Sequence, residues 1–268
     1  MPSQWDCFLK NLGQWRGSFA YLSPAGAIEK EIPSVVTLTG EDDDRAIRLT
    51  VEYPTESHRN VLWRFHAPET GMTLFDNGAF SRANDGESPY LKLAVEQGLI
   101  SGGRRLRLVQ IFNVGSPARV TLIQEGLPGC EDARRSPLTA EQLLGTWQGE
   151  AVEIDPTGNQ RVYSTCLTVA REGERLHQTL QFGDREISSV ARIDGSILHF
   201  EDKQPHTCVL LLSDGGSARA PIQIQQGVPF QMELGWLLEP TVRQRLVRSY
   251  DESGRWLHAT LVTEHKTA

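Results

Sequence analysis

The chain has 268 residues and a net charge of −7, a length that suits one large domain or two ordinary ones. Neither half is basic, which argues against a nucleic-acid partner or an anionic membrane surface, and no apolar run approaches membrane-spanning length. The start, Met1-Pro2-Ser3-Gln4-Trp5-Asp6, lacks the basic and apolar regions of a secretion signal, and Cys7, Cys130, Cys166 and Cys208 lie far apart without ligand spacing; they read as incidental thiols, so the expected location is cytoplasmic.

A short helix is predicted over Trp5–Asn11, running into Leu12-Gly13-Gln14-Trp15-Arg16-Gly17. Runs rich in β-branched and aromatic residues then predict strands at Trp15–Leu22, Ser34–Thr39, Ile47–Tyr53, Val61–His66, Leu91–Val95, Arg104–Phe112 and Arg119–Glu125. Phe75-Asp76-Asn77-Gly78-Ala79-Phe80 predicts a tight turn, because Asn-Gly supplies positive φ at low steric cost. The polar, proline-bounded stretch 128–137 predicts a linker, set at 130–137. A second short helix is expected over Thr139–Leu144, again before a Leu-Gly-x-Trp-x-Gly run, Leu144–Gly149. Strands follow at Trp147–Ile154, Arg161–Val169, Leu176–Phe182, Ile187–Ile193, Ile197–Phe200 and Thr207–Leu212. The last are expected at Ile222–Gln225, Phe230–Leu238, Arg243–Tyr250 and Leu257–Glu264, with Asp194-Gly195, Asp214-Gly215 and Ser253-Gly254 as hairpin connections.

The halves repeat each other. Leu12–Gly17 returns 132 residues on, as does Pro24-Ala25-Gly26 in Pro156-Thr157-Gly158; Arg105-x-Arg107-Leu108-Val109 returns at Arg243 after 138, and Thr121–Glu125 at Thr260–Glu264 after 139. Ordered landmarks with slowly drifting spacing mean a duplicated domain. Eight to ten antiparallel strands per half, one entry helix and no βαβ rhythm predict an all-β chain of two consecutive antiparallel up-and-down β-barrels, residues 1–129 and 138–268.

A helix running into Gly-x-Trp resembles the opening of lipocalins and their calycin relatives, and implies a barrel plugged at one end by that helix and indole. Trp15 and Trp147 are then structural anchors. The whole chain, chiefly Trp5-Asp6-x-Phe8-Leu9-x-Asn11-Leu12-Gly13-x-Trp15-x-Gly17-Ser18-Phe19 and the Arg-x-Arg-Leu-Val strand, resembles a DUF3598-like family of tandem calycin proteins of cyanobacteria and plastids. The ending, Arg243-x-Arg245 then Thr260–Glu264, is similar to that of S-type phycobiliprotein bilin lyases, which are single barrels.

Strand alternation sets Arg243 and Arg245 on one face of their strand, with Glu264 facing them from the next. Such a fork suits a carboxylate or a protonated pyrrole. Because Arg105, Arg107 and Glu125 repeat it, bracing of adjacent strands is the favoured account of the shared set. Arg248 and Tyr250, on the opposite face, resemble the carboxylate clamp of fatty-acid-binding proteins and are replaced by Gln110 and Phe112 in the first half; only one of the two faces can line a barrel interior. The seven histidines show no metal-ligand spacing and no nucleophile, phosphate-loop or dinucleotide motif occurs, so no catalytic residue, metal or cofactor is expected.

The expected function is a binding protein or chaperone for a small hydrophobic ligand bearing carboxylates, such as a tetrapyrrole, another pigment or a fatty acid, held in the second barrel. The enzyme alternative, implied by the lyase resemblance, is attachment of a bilin to a phycobiliprotein acceptor; the other alternative is a structural module with filled barrels.

Overall fold

The computed structural model describes residues 2–23, 25–84, 88–130, 135–202 and 204–267. Pro24 of the first Pro-x-Gly turn and residues 131–134 of the expected linker lie outside the described residues.

The first half contains α1 (Gln4–Leu9), β1 (Gly13–Leu22), β2 (Ile28–Glu41), β3 (Ala46–Glu52), β4 (Val61–Phe65), β5 (Thr73–Leu74), β6 (Phe80–Ala83), β7 (Lys92–Ser101), β8 (Arg104–Asn113) and β9 (Ser116–Gly126). The second contains α2 (Ala140–Leu143), β10 (Gly145–Ile154), β11 (Gln160–Glu172), β12 (Arg175–Phe182), β13 (Arg185–Asp194), β14 (Ile197–Phe200), β15 (Thr207–Leu211), β16 (Gly216–Pro221), β17 (Phe230–Glu239), β18 (Val242–Tyr250) and β19 (Trp256–Thr267). All pairings are antiparallel. The second sheet closes as a ten-stranded barrel through β10 and β19. The first runs β4-β3-β2-β1-β9-β8-β7-β6-β5. It curls into a half-barrel whose edge strands, β4 and the two-residue β5, leave a seam spanned by residues 66–72. Pro68 and Gly71 in that connection oppose a regular strand there.

Both copies start alike. A capping box, Ser3 with Asp6 and Thr139 with Gln142, fixes each helix start. Gly13 (φ +132°) and Gly145 (φ +110°) then turn the chain into the first strand through a conformation that side-chain-bearing residues avoid. The following tryptophans are buried, and each donates its Nε1–H to the carbonyl four residues earlier: Trp15 to Asn11 at 2.8 Å, Trp147 to Leu143 at 2.9 Å. In the first half Gln4 also ties α1 to β5, donating to Leu74 O at 2.9 Å and accepting from Leu74 N at 2.8 Å. Each indole packs with its own helix segment, Trp15 with Cys7 and Phe8 and Trp147 with Leu138, Ala140 and Leu143.

Where the halves meet, the strands turn an apolar face to each other. Ala20, Leu22, Leu106, Leu108 and Leu122 pack with Leu234, Trp236, Leu246, Ala259 and Leu261 in one shared core. The strand expected at Ile222–Gln225 lies instead at Gly216–Pro221, a run of low β-propensity whose Ala218 and Ala220 fit against this crowded interface. Among the described residues no helix is long and apolar enough to cross a membrane.

Candidate functional site

Register places the charged residues before any side-chain detail does. Arg105 lies opposite Glu125 on β8–β9, and Arg243 opposite Glu264 on β18–β19. Arg105 Nε donates to Glu125 Oε2 at 2.8 Å, and Arg107 Nη2 to Oε1 at 2.8 Å; both carboxylate oxygens are therefore committed. In the second copy Arg243 Nε donates to Glu264 Oε2 at 2.8 Å and Arg245 Nη2 to Oε1 at 2.8 Å. Arg105 and Arg243 also stack on the plug indoles, 4.4 and 4.6 Å from the ring centres of Trp15 and Trp147. Gly17 and Gly149 face the glutamates across β1–β9 and β10–β19. A Cβ on Gly149 would stand 2.8 Å from Glu264 Cγ, which explains the second glycine of the repeated motif.

The constellation is larger than the sequence reading had it. Glu96 accepts from Arg107 Nη1 at 2.7 Å and from Arg82 Nε at 2.9 Å. Its counterpart Glu233 accepts from Arg245 Nη1 at 3.4 Å and pairs in register with Arg219, as Glu96 does with Arg82. Each barrel thus carries an alternating ladder across four strands: Arg82, Glu96, Arg107, Glu125, Arg105, and Arg219, Glu233, Arg245, Glu264, Arg243. The two residues missed in each half (Arg82 and Glu96; Arg219 and Glu233) share one offset, 137, inside the drift from 132 to 139. Extending the repeat alignment through these weakly patterned strands was the signal that could have found them.

Burial pushes Glu96 up, but Arg82 and Arg107 outweigh it and hold its carboxyl at about 2. Glu125 and Glu264 are also lowered, burial being overcome in each by two arginines, while burial pushes Arg105 down to about 10, still charged at neutral pH. A carboxylate with a folded-state pKa below its ordinary 4.5 stabilises fully above that value and loses its contribution as pH falls through the folded value. The urea midpoint is therefore expected to hold steady above pH 4.5 and to fall between there and about 2. A midpoint that is flat over this range would show that the ladder contributes nothing to folding.

Above the first ladder lies a cavity of about 320 Å³. Phe19, Val36, Leu49, Val51 and Ile123 form part of its wall, Phe8 of α1 and Asn11 just beyond it close in from the chain start, and Arg105 and Arg107 supply polar lining. Trp63 and Phe65 on β4, Glu69 and Met72 of the seam connection, and Arg82 on β6 border it where the half-barrel stays unpaired. The guanidinium Nη2 of Arg105 is buried and without a hydrogen-bond partner among the described residues.

The Arg248 and Tyr250 pair is not in a barrel interior. Arg248 is 2% exposed on the face of β18 turned to the first half; its Nε donates to Tyr250 Oη at 2.9 Å, its Nη1 reaches Ser81 O on β6 at 3.5 Å, and its guanidinium lies 4.2 Å from the Trp256 ring. Of the two faces, alternation turns that of Arg248 and Tyr250 toward the first half and sets Arg243 and Arg245 on the other, with Glu264. Among the described residues no cluster of three His, Cys, Asp or Glu groups could hold a metal ion.

A closed antiparallel barrel and a curled half-barrel in tandem, each braced by a buried charge ladder, the first with an apolar chamber beside its ladder, define the class. The N-terminal domain of DUF3598, a domain of unknown function, matches residues 1–130, and the C-terminal domain of "Biogenesis factor required for ATP synthase 1" matches residues 134–267. A DUF3598 protein of unknown function from Nostoc punctiforme is 39% identical over 100% of both chains with a TM-score of 0.95. The chain belongs to the DUF3598 family, and its second half to that C-terminal domain family. An S-type phycobiliprotein lyase from Guillardia theta is a distant likeness, at 14% identity and a TM-score of 0.38 over 48% of this chain and 90% of that one. No curated protein matches.

Proposed function

We propose that the protein is a binding protein for a small apolar ligand with an acidic or carbonyl end, held in the first barrel. The cavity with apolar walls and arginine-bearing lining carries this reading. Arg105 supports the polar end, since its spare buried N–H gains by meeting an acceptor. At about 320 Å³ the chamber is near the lower bound of ligand sites, roughly 300–1,000 Å³, which favours a single chain or ring system, such as a fatty acid, over a whole open-chain tetrapyrrole. Arg243 carries a like spare N–H, but the chamber that Arg105 and Arg107 line belongs to the first barrel, and we assign the fork of Arg243 and Arg245 on Glu264 to bracing of the second.

The test is fluorescence titration with the neutral apolar dye N-phenyl-1-naphthylamine. Leu49→Trp puts an indole into the chamber and is expected to weaken dye binding at least about tenfold, roughly 1.4 kcal/mol, with thermal melting as the control for folding. A folded parent that binds no dye would move the reading to a structural module.

A further inference from the structure

The ladder in the first barrel differs from its copy at one end. Glu96 grips Arg82 from one edge, taking Nε at 2.9 Å and Nη2 at 2.8 Å. The remaining Nη1 donates to Glu69, which lies on the connection crossing the seam between β4 and β5. In the second barrel the equivalent Arg219 has no carboxylate within ion-pair distance among the described residues; its Nη1 donates to Gln231 Oε1 at 3.3 Å. A ladder of three arginines and two glutamates therefore stands without a third acid, and carries one excess positive charge. Glu69 is not needed for bracing. It cancels that excess in the first barrel alone.

Its position fits a replaceable group. The Arg82 and Glu69 side chains are 41% and 44% exposed, whereas Glu125 is fully buried against Arg105 and Arg107. A half-exposed pair gains little over its solvated, separated partners, so a competing carboxylate displaces it readily; a buried, doubly paired one does not yield. Glu69 and Arg82 also border two hollow spaces at once, the apolar chamber and an adjoining cleft of about 420 Å³ lined further by Thr70, Asn84 and Ala94.

We propose that Glu69 occupies the place of a ligand carboxylate on Arg82, so that the first barrel takes anionic amphiphiles whose acidic head displaces Glu69 while the apolar part fills the chamber. This rests on the cavity being a binding site. It adds the chemical class of the ligand, the residue that selects it and a built-in competitor.

Displacement of bound N-phenyl-1-naphthylamine by dodecanoic acid and by dodecanol, at slightly alkaline pH, separates head-group recognition from simple filling. In the unaltered chain the acid is expected to compete about tenfold better than the alcohol, the usual scale for one charge-assisted hydrogen bond at a partly wet site. Arg82→Gln should bring that ratio close to one, and Glu69→Gln, which keeps the shape and removes the competing charge, should raise it about threefold. Equal competition by acid and alcohol, or a ratio indifferent to both substitutions, overturns the proposal while leaving the cavity reading in place. Failure of dye, acid and alcohol alike to bind the folded protein overturns both. Because Glu69→Gln is expected to gain selectivity, its result does not depend on a variant damaged in folding.

Discussion

Truncation of Trp147 to alanine is expected to destabilise the second barrel by about 3–5 kcal/mol, the loss typical of a large buried aromatic. The indole is fully buried, is tethered by its Nε1–H to Leu143 O at 2.9 Å, and lies between Arg243 at 4.6 Å and Lys266 Nζ at 4.8 Å. Alanine removes the plug's volume, frees the last carbonyl of the short helix turn, and takes away the face on which a buried guanidinium rests. Trp147→Phe keeps most of the bulk and loses only the tether and part of the stacking, so it should cost clearly less. Urea unfolding followed by far-UV circular dichroism measures both. Because the two barrels share a core through Leu106, Leu122, Leu234 and Trp236, the loss should appear in the unfolding of the whole chain. A change below about 1 kcal/mol for Trp147→Ala would show that the indole is not the plug.

What the sequence revealed and concealed follows from how each feature is encoded. The Leu-Gly-x-Trp-x-Gly motif was legible because every position answers a separate local demand: positive φ at Gly145, a plug at Trp147, and clearance for Glu264 at Gly149. Arg243, Arg245 and Glu264 were legible as a unit because period-two alternation and a short hairpin fix their face and register. The same alternation placed Arg248 and Tyr250 on the opposite face but could not say what that face meets. It meets the other barrel, and inter-barrel packing makes strands such as β8 apolar on one face and charged on the other without any solvent side. Arg82 and Arg219 were hidden because β6 and β16 are short and rich in small residues, carrying little pattern, and without them Glu96 on β7 and Glu233 on β17 had no visible partner at their end of the ladder. The location of the hollow was hidden for a further reason. It depends on β4 and β5 failing to pair, a matter of global curvature and of the 66–72 connection, which no local periodicity records.

Glu264→Gln is expected to be as damaging as loss of the plug, at about 3–5 kcal/mol, although it changes no side-chain volume. One carboxylate receives Arg243 and Arg245 together, with side chains 7% and 14% exposed and the glutamate at 0%. A neutral amide there leaves two guanidiniums facing each other with only Glu233, on the far side of Arg245, to offset them. The excess positive charge of the second ladder then rises from one to two in a region that water screens poorly. Glu125→Gln should do the same in the first barrel, where Glu96 pairs with Arg107 at 2.7 Å and softens the loss. Two observations separate lost charge pairing from general damage. Adding Arg243→Leu to Glu264→Gln removes one of the opposed cations and should recover part of the stability, so that the double variant is less destabilised than the two single losses added together. The acid sensitivity should also shrink: with a group of lowered pKa gone, the difference between parent and Glu264→Gln is largest above pH 4.5 and narrows as the parent's own carboxylate becomes protonated. Strictly additive losses in the cycle, with an unchanged pH profile, would mean that the ladder is a packing element whose charges are incidental.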